Sequence, residues 1–146
     1  MRLQSAIFTM EDTLFTPDGA AREDLDKVLA LFRMEGVWLG AVTALSAEEA
    51  QKALDRAGLA SYFRFVLTES VALCKADSGT MFTRAMKRLH SQKEDTVVFS
   101  GSLSAIENAK GAGFRTVAVR GENDADWDAM RAAATETLVR YGELLG

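Results

Sequence analysis

Cysteine and histidine each occur once in this sequence, as Cys74 and His90. A lone cysteine excludes an intrachain disulfide and suits a reducing compartment. No motif joins it to the lone histidine, so Cys74 reads as a half-buried structural residue rather than a reactive thiol. His90 reads as the end of a helix, close to the last carbonyls. Positive charge is in deficit: 17 Lys and Arg stand against 21 Asp and Glu, and the net charge of −4 gives no electrostatic footprint for nucleic acid. No run of about 18 apolar residues occurs, and Met1-Arg-Leu-Gln-Ser5 puts a polar residue inside what would be the apolar region of a signal peptide. Internal repeats, low-complexity tracts and linkers are missing too. These absences predict a soluble cytoplasmic protein that binds neither nucleic acid nor membrane. Its 146 residues fit one domain, 1–146, large enough to bury roughly 70% of its unfolded surface without disulfides or metals.

What is present is an alternation of short apolar runs with helical stripes. Leu3–Phe8, Val37–Thr43, Phe63–Thr68, Thr96–Phe99 and Arg115–Val119 read as strands covered on both faces. Pro17-Asp18-Gly19 reads as a turn. Over Ala20–Glu35, residues Leu25, Val28, Leu29 and Phe32 fall at i, i+3, i+4 and i+7, and Gly36 stands where the helix should stop. Ser46-x-x-Glu49 and Ser104-x-x-Glu107 read as capping boxes, and Gly58 and Gly113 as stops. A helix opened by Asp77 or Ser78 repeats the stripe with Phe82, Ala85, Met86 and Leu89. A last helix is predicted from about Asp124 to Tyr141, burying Trp127, Met130, Ala134 and Tyr141. Trp38 and Trp127 read as core or interface aromatics. Strands alternating with helices predict parallel βαβ units in an α/β fold, a three-layer α/β/α sandwich on a five-stranded parallel sheet. Several families share that pattern, so the motifs must choose among them.

Four stretches carry chemistry. An apolar strand runs into Phe8-Thr9-Met10-Glu11-Asp12-Thr13-Leu14-Phe15. Ala41-Val42-Thr43 ends a second strand in a hydroxyl. Lys75-Ala76-Asp77 precedes a helix. Val97-Val-Phe-Ser-Gly101-Ser102-Leu103-Ser-Ala105-Ile106 leads on to Ala109, Ala112 and Gly113. In this order and spacing the stretches resemble the four motifs of the haloacid dehalogenase (HAD) superfamily, over Ala6–Val119. The resemblance implies a Rossmannoid core with strand order 5-4-1-2-3. One helix fills the interval between Thr9 and Thr43, so the cap domain carried by many members is expected to be absent and the site open.

The resemblance also implies roles. In the family the first motif supplies a nucleophilic Asp, here Thr9, and a general acid/base Asp, here Glu11. Asp12 stands at a Gly position, where the bland reading is a turn residue, since Asp tolerates such dihedrals. Thr43, the following N–H of Ala44, and Lys75 match the groups that hold a phosphate. The fourth motif's Mg²⁺-binding Asp falls on Gly101 and its second acid on Ala105, while Ser102 belongs to the retained scaffold. Mg²⁺ is thus the cofactor the family implies, but its ligands are largely missing and no metal site is expected. Thr9 as nucleophile would need an adjacent base, and Glu11 is the one candidate. The reading is a HAD-like protein lacking Mg²⁺-dependent phosphohydrolase activity, with a binding role toward a phosphorylated small molecule or a protein partner. The rivals are an active hydrolase working through Glu11 and Asp12, and a structural or homo-oligomer-forming protein. Lys75 either holds an anion or pairs with Glu11 or Asp12.

Overall fold

The computed structural model describes residues 3–121 and 125–146. In chain order its elements are β1 (Ser5–Thr9), α1 (Leu25–Met34), β2 (Trp38–Thr43), α2 (Ala47–Ala57), β3 (Val66–Thr68), α3 (Glu69–Ala72), α4 (Gly79–Arg88), β4 (Thr96–Ser100), α5 (Leu103–Gly111), β5 (Arg115–Val119), α6 (Trp127–Ala133) and β6 (Glu136–Leu138). Every strand pairing is parallel, and the sheet order is β3-β2-β1-β4-β5-β6. The α/β/α class and the expected order hold, but the sheet has six strands where five are expected.

The sixth strand corrects the reading of the C-terminal segment. Trp127 and Met130 are buried on a helix as expected, yet α6 stops at Ala133. Thr116 and Thr135 then each donate a backbone N–H to the other's hydroxyl, both at 3.0 Å, and β6 pairs with Val117–Val119. The outer edge of β5 offers unpaired N–H and C=O groups, and pairing with them outweighs a local helical spacing. Tyr141 is buried, though in a 3₁₀ turn over Tyr141–Leu145 rather than in the helix. The expected helix start, Asp124, lies outside the described residues, as do Met1 and Arg2.

Two other boundaries move for local reasons. The first helix begins at Leu25, not Ala20, because Phe15 and Ala21 form an antiparallel bridge and Asp24 adopts a left-handed φ of 64°. The third strand shortens to Val66–Thr68 because Ala60–Tyr62 make a 3₁₀ turn. The capping box Ser46/Glu49 forms in full, and Gly58 closes α2 at φ 73°. Ser104 does not cap α5. That helix starts two residues earlier than expected, so Ser102 supplies the cap, accepting from the N–H of Ala105.

The sheet has a core on each face. Ala6 and Phe8 pack with Leu25, Val28 and Leu29 of α1 and with Leu54 of α2, whereas Ile7 packs with Phe82 and Ala85 of α4 and Ala109 of α5. That division follows the period-2 alternation of β1. Phe8 stacks on Phe99 of β4 at 4.5 Å between ring centroids. Truncating such a buried ring costs about 3–5 kcal/mol, so the register of β1 against β4 is strongly held. Trp38 is exposed and lies under Arg64, 4.1 Å from guanidinium to ring. Among the described residues no helix is long and apolar enough to cross a membrane.

Candidate functional site

Thr9, Thr43 and Ser100 are the last residues of β1, β2 and β4, with Gly101 next in line. The strand order turns back between β1 and β4, and in an open parallel sheet a ligand crevice forms at the carboxyl ends there. Sequence reasoning expected Thr9, Thr43 and Gly101 together, and the sheet brings them together.

Past Thr9 the chain coils into a tight turn. The N–H groups of Thr13 and Leu14 both donate to the carbonyl of Met10, at 3.3 and 3.1 Å, and Asp12 takes a left-handed φ of 62°. Asp12 is therefore the turn residue expected of it, exposed at the rim.

On the β4 side the turn closes over a buried hydroxyl cluster. The Thr9 hydroxyl lies 2.7 Å from both the Thr13 and the Ser100 hydroxyl oxygens. Thr13 donates to the Glu11 carbonyl at 3.2 Å and accepts from the Gly101 N–H at 2.9 Å, while Ser100 accepts from the Ser102 N–H at 3.1 Å. Each hydroxyl has one proton, so these contacts set a direction: Ser100 donates to Thr9, Thr9 to Thr13, and Thr13 to the carbonyl. Thr13 and Ser100 are fully buried and Thr9 is 9% exposed. In the sequence Thr13 matches the Thr of the family's first motif and Ser100 stands inside the fourth, neither with an assigned role. The available signal was a hydroxyl at the buried carboxyl end of an otherwise apolar strand, and a second one four residues after Thr9.

On the β2 side the arrangement is ionic. The Thr43 hydroxyl donates to Glu11 Oε1 at 2.7 Å and the Ala44 N–H donates to Oε2 at 3.0 Å. Of the amides after Thr43, only that of Ala44 reaches the carboxylate. Leu45 donates to the Thr43 hydroxyl at 3.0 Å and Ser46 to Glu49 at 3.2 Å. The expected acid/base and the expected anion-binding residues thus hold each other, a contact between positions 32 and 33 apart that nothing in the sequence announced.

Lys75 is exposed in the turn before α4, where its carbonyl accepts from the N–H and hydroxyl of Ser78. Among the described residues no ion pair joins its ammonium to Glu11 or Asp12. Ser104, freed from capping, donates to Asp77 at 2.6 Å. Ala105 is fully buried in the first turn of α5.

The C-terminal segment braces the turn. Tyr141 donates its phenol proton to the carbonyl of Thr13 at 2.8 Å, and burial pushes its pKa up. Arg22 lies 5.4 Å above the Tyr141 ring and donates to the carbonyl of Arg120. A cavity of about 630 Å³ opens beside the site, lined in part by Asp12, Arg22, Gly101, Ser102, Glu107 and Asp126.

Residues 8–119 match the haloacid dehalogenase-like hydrolase family. The chain belongs to that family. Solved structures agree in fold: a protein assigned to the haloacid dehalogenase-like hydrolases from Bacteroides fragilis superposes with a TM-score of 0.83 at 12% identity, covering 98% of this chain and 100% of its own. A HAD-superfamily hydrolase of subfamily IA from Geobacter sulfurreducens gives 0.78 at 12% identity, covering 98% of each chain. A HAD phosphatase from Thermococcus onnurineus gives 0.73 at 23% identity, with 86% of this chain covering 58% of that one. No curated protein matches the chain by sequence.

The residues here do not fit the Mg²⁺ that the family implies. That ion takes near-octahedral oxygen ligands, usually including one or two carboxylates. Positions 9, 101 and 105 hold Thr, Gly and Ala, and among the described residues no three His, Cys, Asp or Glu gather as a metal site. The space is gone as well as the charge: a Cβ on Gly101 would overlap the carbonyl oxygen of Asp12 and come within 3.1 Å of its carbon. Among the described residues no base hydrogen-bonds to the Thr9 oxygen, whose partners are two other hydroxyls. A neutral hydroxyl is a poor proton acceptor, whereas activating a threonine as a nucleophile takes an adjacent base.

Proposed function

We propose that this family member binds rather than hydrolyses: it lacks Mg²⁺-dependent phosphohydrolase activity and takes a phosphorylated small molecule at the carboxyl ends of β1 and β2. The observation that carries the reading is the Thr9 hydroxyl, held between Thr13 and Ser100 at the nucleophile's position. A group so engaged has neither a free proton acceptor nor a base, and nucleophilic catalysis needs one. Binding is supported by the Thr43 hydroxyl and Ala44 N–H, which already hold two oxygens of a carboxylate. Exposed Lys75 would add charge to a phosphate seated there.

The test is turnover of a generic aryl phosphate with and without Mg²⁺, against a protein-free control. The expected result is no difference. A second reading, hydrolysis through Glu11 and Asp12, is favoured by family membership and by the cavity that Asp12 lines. Mg²⁺-dependent turnover abolished by Glu11→Gln would establish that reading and overturn the first.

A further inference from the structure

We propose that the Glu11 carboxylate is an internal ligand that closes this protein's oxyanion cradle, so that a phosphate or carboxylate ligand binds only by displacing it. The inference rests on the reading of the crevice as a binding site. Its basis is a contact made by both carboxylate oxygens: Oε1 takes the Thr43 hydroxyl and Oε2 takes the Ala44 N–H. Those are the two convergent donors at the end of β2, and Leu45 steadies the hydroxyl from behind with its own N–H. A ligand oxyanion offered to the same pair finds both donors satisfied.

Two features make the closure reversible. Glu11 lies on the turn, part-exposed, and its carboxylate is held by a side chain with three rotatable bonds rather than by backbone. Among the described residues no cation pairs with it, so two hydrogen bonds and solvent are all that compensate its charge. A ligand with more oxygens, or one that also reaches Lys75, therefore has a route to win the exchange. Occupancy by the plug lowers apparent affinity by the fraction of molecules left open.

The test titrates inorganic phosphate, in the presence of a metal chelator, into the wild-type protein and three variants, following the Ala44 amide by NMR. Glu11→Ala should bind phosphate at least about tenfold more tightly than wild type, about 1.4 kcal/mol. Glu48→Gln, on the exposed first turn of α2, removes a charge of the same sign and leaves the cradle untouched; it should change affinity by no more than about twofold, a screened surface effect. Thr43→Val in the Glu11→Ala background should abolish the gain. A parallel titration with acetate separates the two ligand chemistries, the tighter anion naming the class. Equal phosphate affinity in wild type and Glu11→Ala, an equal gain from Glu48→Gln, or an Ala44 amide that does not move in Glu11→Ala would each overturn the proposal. Because the measurement is binding without metal, its failure leaves the turnover test standing, and turnover would leave this result standing.

Discussion

The two flanks of the carboxyl end of β1 have been closed in different ways. Toward β4 the space is filled by backbone and fully buried hydroxyls, with Asp12's carbonyl against Gly101 and Thr9 locked between Thr13 and Ser100. Toward β2 the donors that suit an oxyanion are retained and occupied by one part-exposed side chain, Glu11. A flank filled by backbone cannot reopen without moving the turn, whereas one filled by a side chain opens with a rotamer change. The amino end of the same strand pair supports this contrast: Ser5, Ser91 and Thr96 join hydroxyls there at 2.6 to 3.0 Å. The cluster around Thr9 therefore resembles a hydroxyl latch that this sheet also uses at its opposite end.

The comparison can be broken most severely at Gly101. Gly101→Ala forces the Met10–Thr13 turn to shift and should cost about 3 kcal/mol of stability, as overpacked sites do; urea unfolding measures it, and a loss under 1 kcal/mol would mean that the turn moves freely. Restoring acids at positions 9, 101 and 105 inherits that obstacle, since Ala105 is also fully buried. Next in size, Thr13→Val strands the Gly101 N–H and the Thr9 proton and should cost about 2 kcal/mol, while Thr43→Val on the open flank should cost about 1. Comparable losses from the two would erase the difference between the flanks.

Tyr141→Phe removes the donor to the Thr13 carbonyl and should cost about 1 kcal/mol. It also carries a pH signature. Burial raises the folded-state pKa above the ordinary value of 10.0, so the phenol's contribution is complete below the unfolded pKa and is lost as pH rises above it. Wild-type stability should decline above about pH 10, and the Phe variant should decline less over the same range. Identical alkaline profiles would remove Tyr141 as the brace. The smallest effect is ligand-linked: millimolar phosphate should raise the melting temperature by about 1 °C through preferential binding to the native state, and Lys75→Ala should lose that rise. An equal rise in both proteins would mark nonspecific salt stabilisation.

Much of the architecture was legible because each strand is a continuous apolar run and each helix an apolar stripe. Leu25, Val28, Leu29 and Phe32 are all buried on α1, and the Ser46/Glu49 box forms as spaced. Beyond the boundaries that local turns move, two misreadings fall where a partner distant in sequence competes with local spacing. Trp127, Met130, Ala134 and Tyr141 satisfy a helical period, but the free edge of β5 recruits Glu136–Leu138 as a strand. Ser104-x-x-Glu107 satisfies a capping box, yet the chain enters α5 at Ser102 and Ser104 turns to Asp77.

By itself the sequence determined which residues stand at the carboxyl ends of the strands and that carboxylates are missing from Thr9, Gly101 and Ala105, because apolar runs and motif order are local properties of the chain. Only the tertiary structure decided what fills the vacated places. Whether Glu11 reaches Thr43 and Ala44, and whether the Asp12 carbonyl denies space at Gly101, depends on the path of a backbone turn between three strands, and no one-dimensional spacing encodes that distance.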